Sequence, residues 1–117
     1  MEWKPLNSSE QIDQIKKDSQ QNPVVIYKHS TRCGISSMVL SRLERAWNPT
    51  DLPEVSFYFL DLIRHRDISQ AVAASFEVQH ESPQVLVINQ GACVYDASHM
   101  TVSYSKIKEQ VLQLANS

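Results

Sequence analysis

Val24-Val25-Ile26-Tyr27-Lys28-His29-Ser30-Thr31-Arg32-Cys33-Gly34-Ile35-Ser36 sets two opposite patterns side by side. Its opening run is β-branched and aromatic without polar interruption, which predicts a central strand over 24 to 29, buried on both faces. After Ser30 and Thr31 the apolar residues change period. Ile35, Met38, Val39, Leu43 and Ala46-Trp47 follow the 3.6-residue repeat of an amphipathic helix, and Asn48-Pro49 ends it. Cys33 therefore falls at the junction of a buried strand and a long helix.

The segments on either side extend this into an alternating chain. Upstream, Ser8 with Gln11 reads as a capping box opening a short helix that carries Ile12 and Ile15 and ends near Asn22-Pro23. Downstream, Val55, Phe57 and Phe59 alternate with their neighbours and predict a strand over 55 to 61. Ile68, Val72 and Phe76 at four-residue spacing predict a helix over 66 to 77, completing a βαβ unit. After His80-Glu81-Ser82-Pro83, the run Val85-Leu86-Val87-Ile88 is a third strand. Asn89-Gln90-Gly91 then turns it into a fourth over 93 to 97, forming an antiparallel hairpin. Tyr104, Ile107, Val111 and Leu114 give a last helix, with Ser103 or Thr101 as its N-cap. The expected architecture is α/β: a mixed four-stranded sheet, helices on both faces and an extra N-terminal helix.

At 117 residues the chain has the length of one domain, and residues 1–117 are read as one. Apolar residues make up 42% and charged residues 21%, an ordinary globular balance. The apolar runs are too short to cross a bilayer, and Met1-Glu2-Trp3-Lys4-Pro5 lacks the pattern of a signal peptide, so a cytoplasmic location without membrane contact is expected. A formal charge of −2 with scattered cations argues against nucleic acid as a partner.

Two cysteines in such a chain do not suggest a disulfide framework, and each must be judged by its surroundings. Cys33 would sit where unpaired backbone N–H groups and the helix dipole favour a thiolate. Free cysteine titrates near 8.5, and such a position beside a cation lowers that to roughly 3.5 to 7.5. Arg32 supplies the adjacent cation; Lys28 or His29 adds to the field, though strand alternation aims at most one of them at the sulfur. Gly34 leaves one side of the thiol uncrowded. The blander alternative is a small buried hydrophobe. Pro83 belongs at a strand entrance, where its missing N–H costs no ladder bond.

In this order, the strand, Cys33, helix, strand, helix, Ser82-Pro83, hairpin and helix resemble the thioredoxin superfamily. The resemblance implies that Pro83 is cis and lies against Cys33, and that the backbone of Ser82 binds the substrate chain. His29-Ser30-Thr31-Arg32-Cys33-Gly34-Ile35-Ser36, His80-Glu81-Ser82-Pro83-Gln84 and Ala97-Ser98-His99 together are similar to the YtxJ-type monothiol bacilliredoxins, over nearly the whole chain. Gly34 stands where many members have Pro, and Met100 where many have an aromatic residue.

That resemblance implies removal of bacillithiol, a low-molecular-weight thiol, from mixed disulfides on cytosolic proteins. Bacillithiol would be a co-substrate, with no tightly bound cofactor and the chain acting as a monomer. Ser36 stands where a two-cysteine oxidoreductase has its resolving thiol, so Cys33 must be released by an outside thiol. Arg32 and Ser36 are candidates for stabilising the thiolate. Thr31, Gly34, His80, Glu81, Ser82 and Pro83 are candidates for binding the substrate. Arg64, His65 and Arg66 form a short basic patch able to meet ligand carboxylates.

Cys93, in the fourth strand, reads as a packed side chain out of reach of Cys33. No two of His29, His65, His80 and His99 have metal-site spacing, so no metal is expected. Two rivals stay open. Cys33-Gly34-Ile35-Ser36 also resembles the C-G-F-S motif of monothiol glutaredoxins that carry an iron-sulfur cluster, although Ile replaces Phe. The other rival is a noncatalytic adaptor on the same scaffold.

Overall fold

The computed structural model describes residues 1–115. In chain order the elements are β1 (Trp3–Pro5), α1 (Glu10–Asp18), β2 (Val24–His29), α2 (Gly34–Ala46), β3 (Ser56–Asp61), α3 (Arg66–Phe76), β4 (Gln84–Asn89), β5 (Ala92–Ser98), a 3-10 turn (His99–Thr101) and α4 (Tyr104–Ala115). The expected strands and helices are all present, within a few residues of their expected ends. Ser103 Oγ accepts from Lys106 N at 3.2 Å, so of the two candidate caps for α4 Ser103 makes the bond. The capping box at α1 is half formed: Gln11 Oε1 accepts from Ser8 N at 3.0 Å, while the first helical residue comes later, at Glu10.

One expectation is corrected. The sheet has five strands rather than four, in the order β1-β3-β2-β4-β5. The added strand β1 lies parallel to β3, with Trp3 beside Phe57 and Pro5 beside Phe59. Its three residues are too few for any alternation to register, and its proline is tolerated because the strand lies at the edge. Trp3 is held by rings: Phe59 at 5.6 Å, Tyr27 at 5.9 Å and Phe57 at 6.2 Å between centroids.

β2 is the axis of the sheet, parallel to β3 and antiparallel to β4, and all six of its residues are buried. Alternation sends them to two cores. Val24 and Ile26 meet Ile12 and Ile15 of α1 and Ile68, Val72 and Phe76 of α3. Val25 and Tyr27 meet Val39 and Leu43 of α2 and Ile107 and Val111 of α4. Helices thus cover both faces, and the crossover rule puts the ends of the parallel strands β2 and β3 on one side, where Cys33 follows.

The β4–β5 hairpin turns through Gln90 and Gly91, whose φ values of 52° and 78° suit a two-residue turn. Its tip is tied to the end of α1. Gln90 N donates to Ser19 O at 2.8 Å, and Gly91 N donates to Ser19 Oγ at 2.9 Å. The buried Ser19 hydroxyl in turn donates to Lys16 O at 2.8 Å.

Candidate active site

Cys33 occupies the N-cap of α2 with extended backbone angles, φ −115° and ψ 115°, and is half-buried. Its thiol makes no capping bond, so the first N–H groups of the helix remain open beside it. The loop that carries it is laced to the helix. Ser30 N donates to Ser36 Oγ at 3.1 Å, Arg32 N to Ser30 Oγ at 3.3 Å, Cys33 N to Ser30 O at 3.2 Å and Ser37 N to Cys33 O at 3.3 Å. Around this loop Thr31, Arg32 and Gly34 are exposed. A Cβ built on Gly34 would meet nothing within 4 Å, so the approach to the sulfur on that side is open.

Ser36, one turn along the helix, is fully buried. Its Oγ lies 2.8 Å from His29 Nδ1 and 3.4 Å from the Tyr27 hydroxyl, which donates to Ser36 O at 2.9 Å. The serine is thus the clasp between β2 and the cysteine loop, a role its place in the motif did not reveal. Burial holds His29 below the ordinary histidine range, against the opposing fields of Asp61 and Glu44, and pushes the Tyr27 hydroxyl up to about 12. A tyrosine and a histidine two apart in a doubly buried strand were the available signal.

Strand alternation sends Lys28 and His29 to opposite faces, His29 to Ser36 on the α2 face. Lys28 points to the α3 face, fully buried, where Nζ donates to Ser69 O at 3.2 Å and to His80 Nδ1 at 3.2 Å. Desolvation lowers this lysine to about 8.

The second candidate segment arrives from β4. Lys28 pairs with Gln84, so the residues just before Gln84 lie at the end of the sheet where β2 leaves for Cys33. The Ser82–Pro83 bond is cis, as the resemblance implies. Pro83 is buried, and the Ser82 hydroxyl is buried without a hydrogen-bond partner among the described residues. His99 grips this segment twice: its N–H donates to Pro83 O at 2.9 Å, and its Nε2 lies 3.3 Å from Glu81 Oε2. The 3-10 turn beginning at His99 packs against α2, which brings the Ala97-Ser98-His99 motif to the same place. Exposed Ile35 and Met38 on α2 and Met100 in that turn add an apolar margin.

Cys93 stands apart. It is half-buried on the edge strand β5, packed against the α1–α3 core, and its Sγ lies 3.3 Å from Tyr95 O. Burial pushes its thiol up to about 11. A cavity of about 430 Å³ opens at the opposite end of the sheet, where Asn22, Pro23, Leu52 and Val111 line it, and it takes in none of these residues. Among the described residues no helix is long and apolar enough to cross a membrane.

A cysteine at the mouth of a strand-to-helix turn, opposite a cis-proline segment on a five-stranded mixed sheet, defines a thiol oxidoreductase of the thioredoxin fold. The family described as monothiol bacilliredoxin BrxC matches residues 4–107, and the chain belongs to it. Among solved structures, one described as a thioredoxin-fold protein assigned as an oxidoreductase is 26% identical, with a TM-score of 0.74, over 90% of this chain and 89% of that one. Thioredoxin from Malassezia sympodialis, 20% identical, shares the fold with a TM-score of 0.74 over 96% of this chain and 90% of its own. Thioredoxin from Trypanosoma brucei brucei, 15% identical, does so at 0.72 over 99% and 93%.

Proposed function

We propose that this protein removes bacillithiol from mixed disulfides on cytoplasmic proteins, through Cys33 alone and as a monomer. The observation that carries the reading is the site's single thiol. Cys33 caps α2, and the position one turn along holds the buried Ser36, so no internal disulfide can discharge a captured adduct.

The cycle follows from thiol-disulfide exchange. The Cys33 thiolate attacks the bacillithiol sulfur of the mixed disulfide, that S–S bond breaks, and the client cysteine leaves as a thiolate that takes a proton from water. Cys33 now carries bacillithiol. A second bacillithiol thiolate attacks the sulfur of this adduct, which forms bacillithiol disulfide and returns the Cys33 thiolate. One S–S bond is consumed and one is formed: the client sulfur returns to the thiol level as the second bacillithiol rises to the disulfide level.

The surroundings suit each step. Open N–H groups at the helix start and the exposed Arg32 favour the thiolate, and the laced loop holds the sulfur at a fixed place. Ser82 offers its backbone to a client chain, with Ile35, Met38 and Met100 receiving apolar client side chains. His80 and Glu81 flank the small-thiol side, and Thr31 and Gly34 border the open approach. Intact mass spectrometry of the reduced protein after exposure to bacillithiol disulfide, or separately to glutathione disulfide, tests the reading. One bacillithiol adduct is expected, absent in Cys33→Ser and reversed by free bacillithiol. A protein that forms no such adduct overturns it.

A further inference from the structure

Lys28 is an uncommon residue for its place. It is fully buried in the central strand, yet both acceptors of its ammonium, Ser69 O and His80 Nδ1, are neutral. An ammonium can only donate, so Nδ1 of His80 must accept, and the ring proton of the neutral imidazole is placed on Nε2. Ser69 Oγ lies 3.3 Å from the same Nδ1 and shares its lone pair with the ammonium. His80 is thereby fixed as an outward donor.

His80 does not stand alone at this spot. It lines a cavity of about 100 Å³ together with Leu62, Arg66, Ser69 and Gln70. Arg66 opens α3, is exposed, makes no ion pair among the described residues, and lies close enough for its charge to bear on His80. Glu81 also bears on His80, but its carboxylate is turned to His99. The cavity thus has positive charge at its rim and beneath its floor, with a fixed N–H and an amide beside them and no carboxylate among its lining. An unpaired buried cation of this kind costs folding energy unless something offsets it. A cavity of this volume holds a carboxylate with a short carbon stem, not a nucleotide or a peptide.

We infer that the Arg66–His80 cavity, backed by Lys28, is a carboxylate-binding site that receives an acidic arm of the small thiol exchanged at Cys33. The link to Cys33 rests on the proposed function. The sheet supplies the connection: Lys28 lies on the strand that leads to Cys33, and His80 precedes Ser82-Pro83, so site and sulfur share one end of the molecule. Arg66 meets the carboxylate with two parallel N–H donors, and His80 Nε2 adds a third.

Two measurements separate this inference from the function it rests on. In the first, succinate is titrated into the Cys33→Ser protein while the His80 ring resonances are followed by NMR. Saturable shifts in the millimolar range are expected, reduced at least tenfold in affinity in Arg66→Ala and absent with succinamide. Equal shifts with succinamide, or unchanged affinity in Arg66→Ala, would overturn the site whatever Cys33 does.

The second compares adduct formation at Cys33 from bacillithiol disulfide, which carries carboxylates, with that from cystamine, which has none. Arg66→Ala should slow the first at least tenfold and leave the second within twofold. Equal slowing with both disulfides, or none with either, refutes the inferred link. A wild-type protein that binds succinate but ignores bacillithiol disulfide would sink the proposed function and leave the carboxylate site standing.

Discussion

Lys28 shows how much one side chain can carry. Because burial lowers it to about 8 from 10.5, the native state holds its proton less tightly than the unfolded chain does. The sign follows from linkage. Between about pH 8 and 10.5 the unfolded state binds more protons at this position, so the residue's cost is complete below pH 8 and fades as pH rises to 10.5. Lys28→Met should therefore be at least as stable as the parent at neutral pH, and its advantage should shrink steadily between pH 8 and 10.5 in paired denaturant titrations. An advantage independent of pH would mean that Lys28 is not held as an unfavourable charge. Cys93 is also held by burial: packed, and raised to about 11, its thiol stays protonated through the neutral range. Cys33 and the Ser82-Pro83 pair were legible because a helix start and a strand entrance leave marks in sequence. The Lys28–His80 contact was not legible, since its partners lie 52 residues apart and no local pattern joins them.

The junction of β2 and α2 governs the site. Gly34 is the first residue of the helix, Cys33 before it is extended, and a Cβ at Gly34 would touch nothing. These are the conditions a proline at the first helical position requires: a preceding extended residue and an N–H that no helical carbonyl needs. Gly34→Pro should raise stability by about 0.4–1 kcal/mol, by narrowing the unfolded chain, in chemical denaturation at unchanged slope. A loss of stability would show that the Gly34 N–H or its backbone freedom is in use. The other elements declared themselves in the sequence unevenly. β2 and β4 did so as apolar runs bounded by breakers, and α3 as a four-residue repeat. β1 did not, because a strand made of Trp3, Lys4 and Pro5 owes its existence to a neighbouring strand, β3, that lies more than fifty residues away.

At the scale of the whole molecule, the sheet divides two cores, and one set of hydrogen bonds ties distant parts of the chain. The hairpin tip at Gln90 and Gly91 is held by Ser19, at the end of α1, across 72 residues. Tips of hairpins ordinarily exchange their amide hydrogens fast. Here the Gln90 and Gly91 amides should be protected nearly as well as the β4 ladder, and Ser19→Ala should speed Gly91 several-fold while affecting Gln90, which bonds the main-chain oxygen, far less. Rapid exchange at both positions in the parent protein would refute that anchoring. The sequence could announce the turn, through Asn89-Gln90-Gly91, but not its tether, which depends on how α1 lies across β4. The same tether bears on how the chain is made. A ribosome delivers α1 and the cysteine-bearing strand long before the hairpin that completes them, so the chain up to α3 emerges before the Ser19 oxygens meet the Gln90 and Gly91 amides and with the sheet lacking two strands. Maturation of the thiol site must then wait for nearly the entire polypeptide, and a nascent chain arrested before Gly91 would expose Cys33 on an unfinished scaffold.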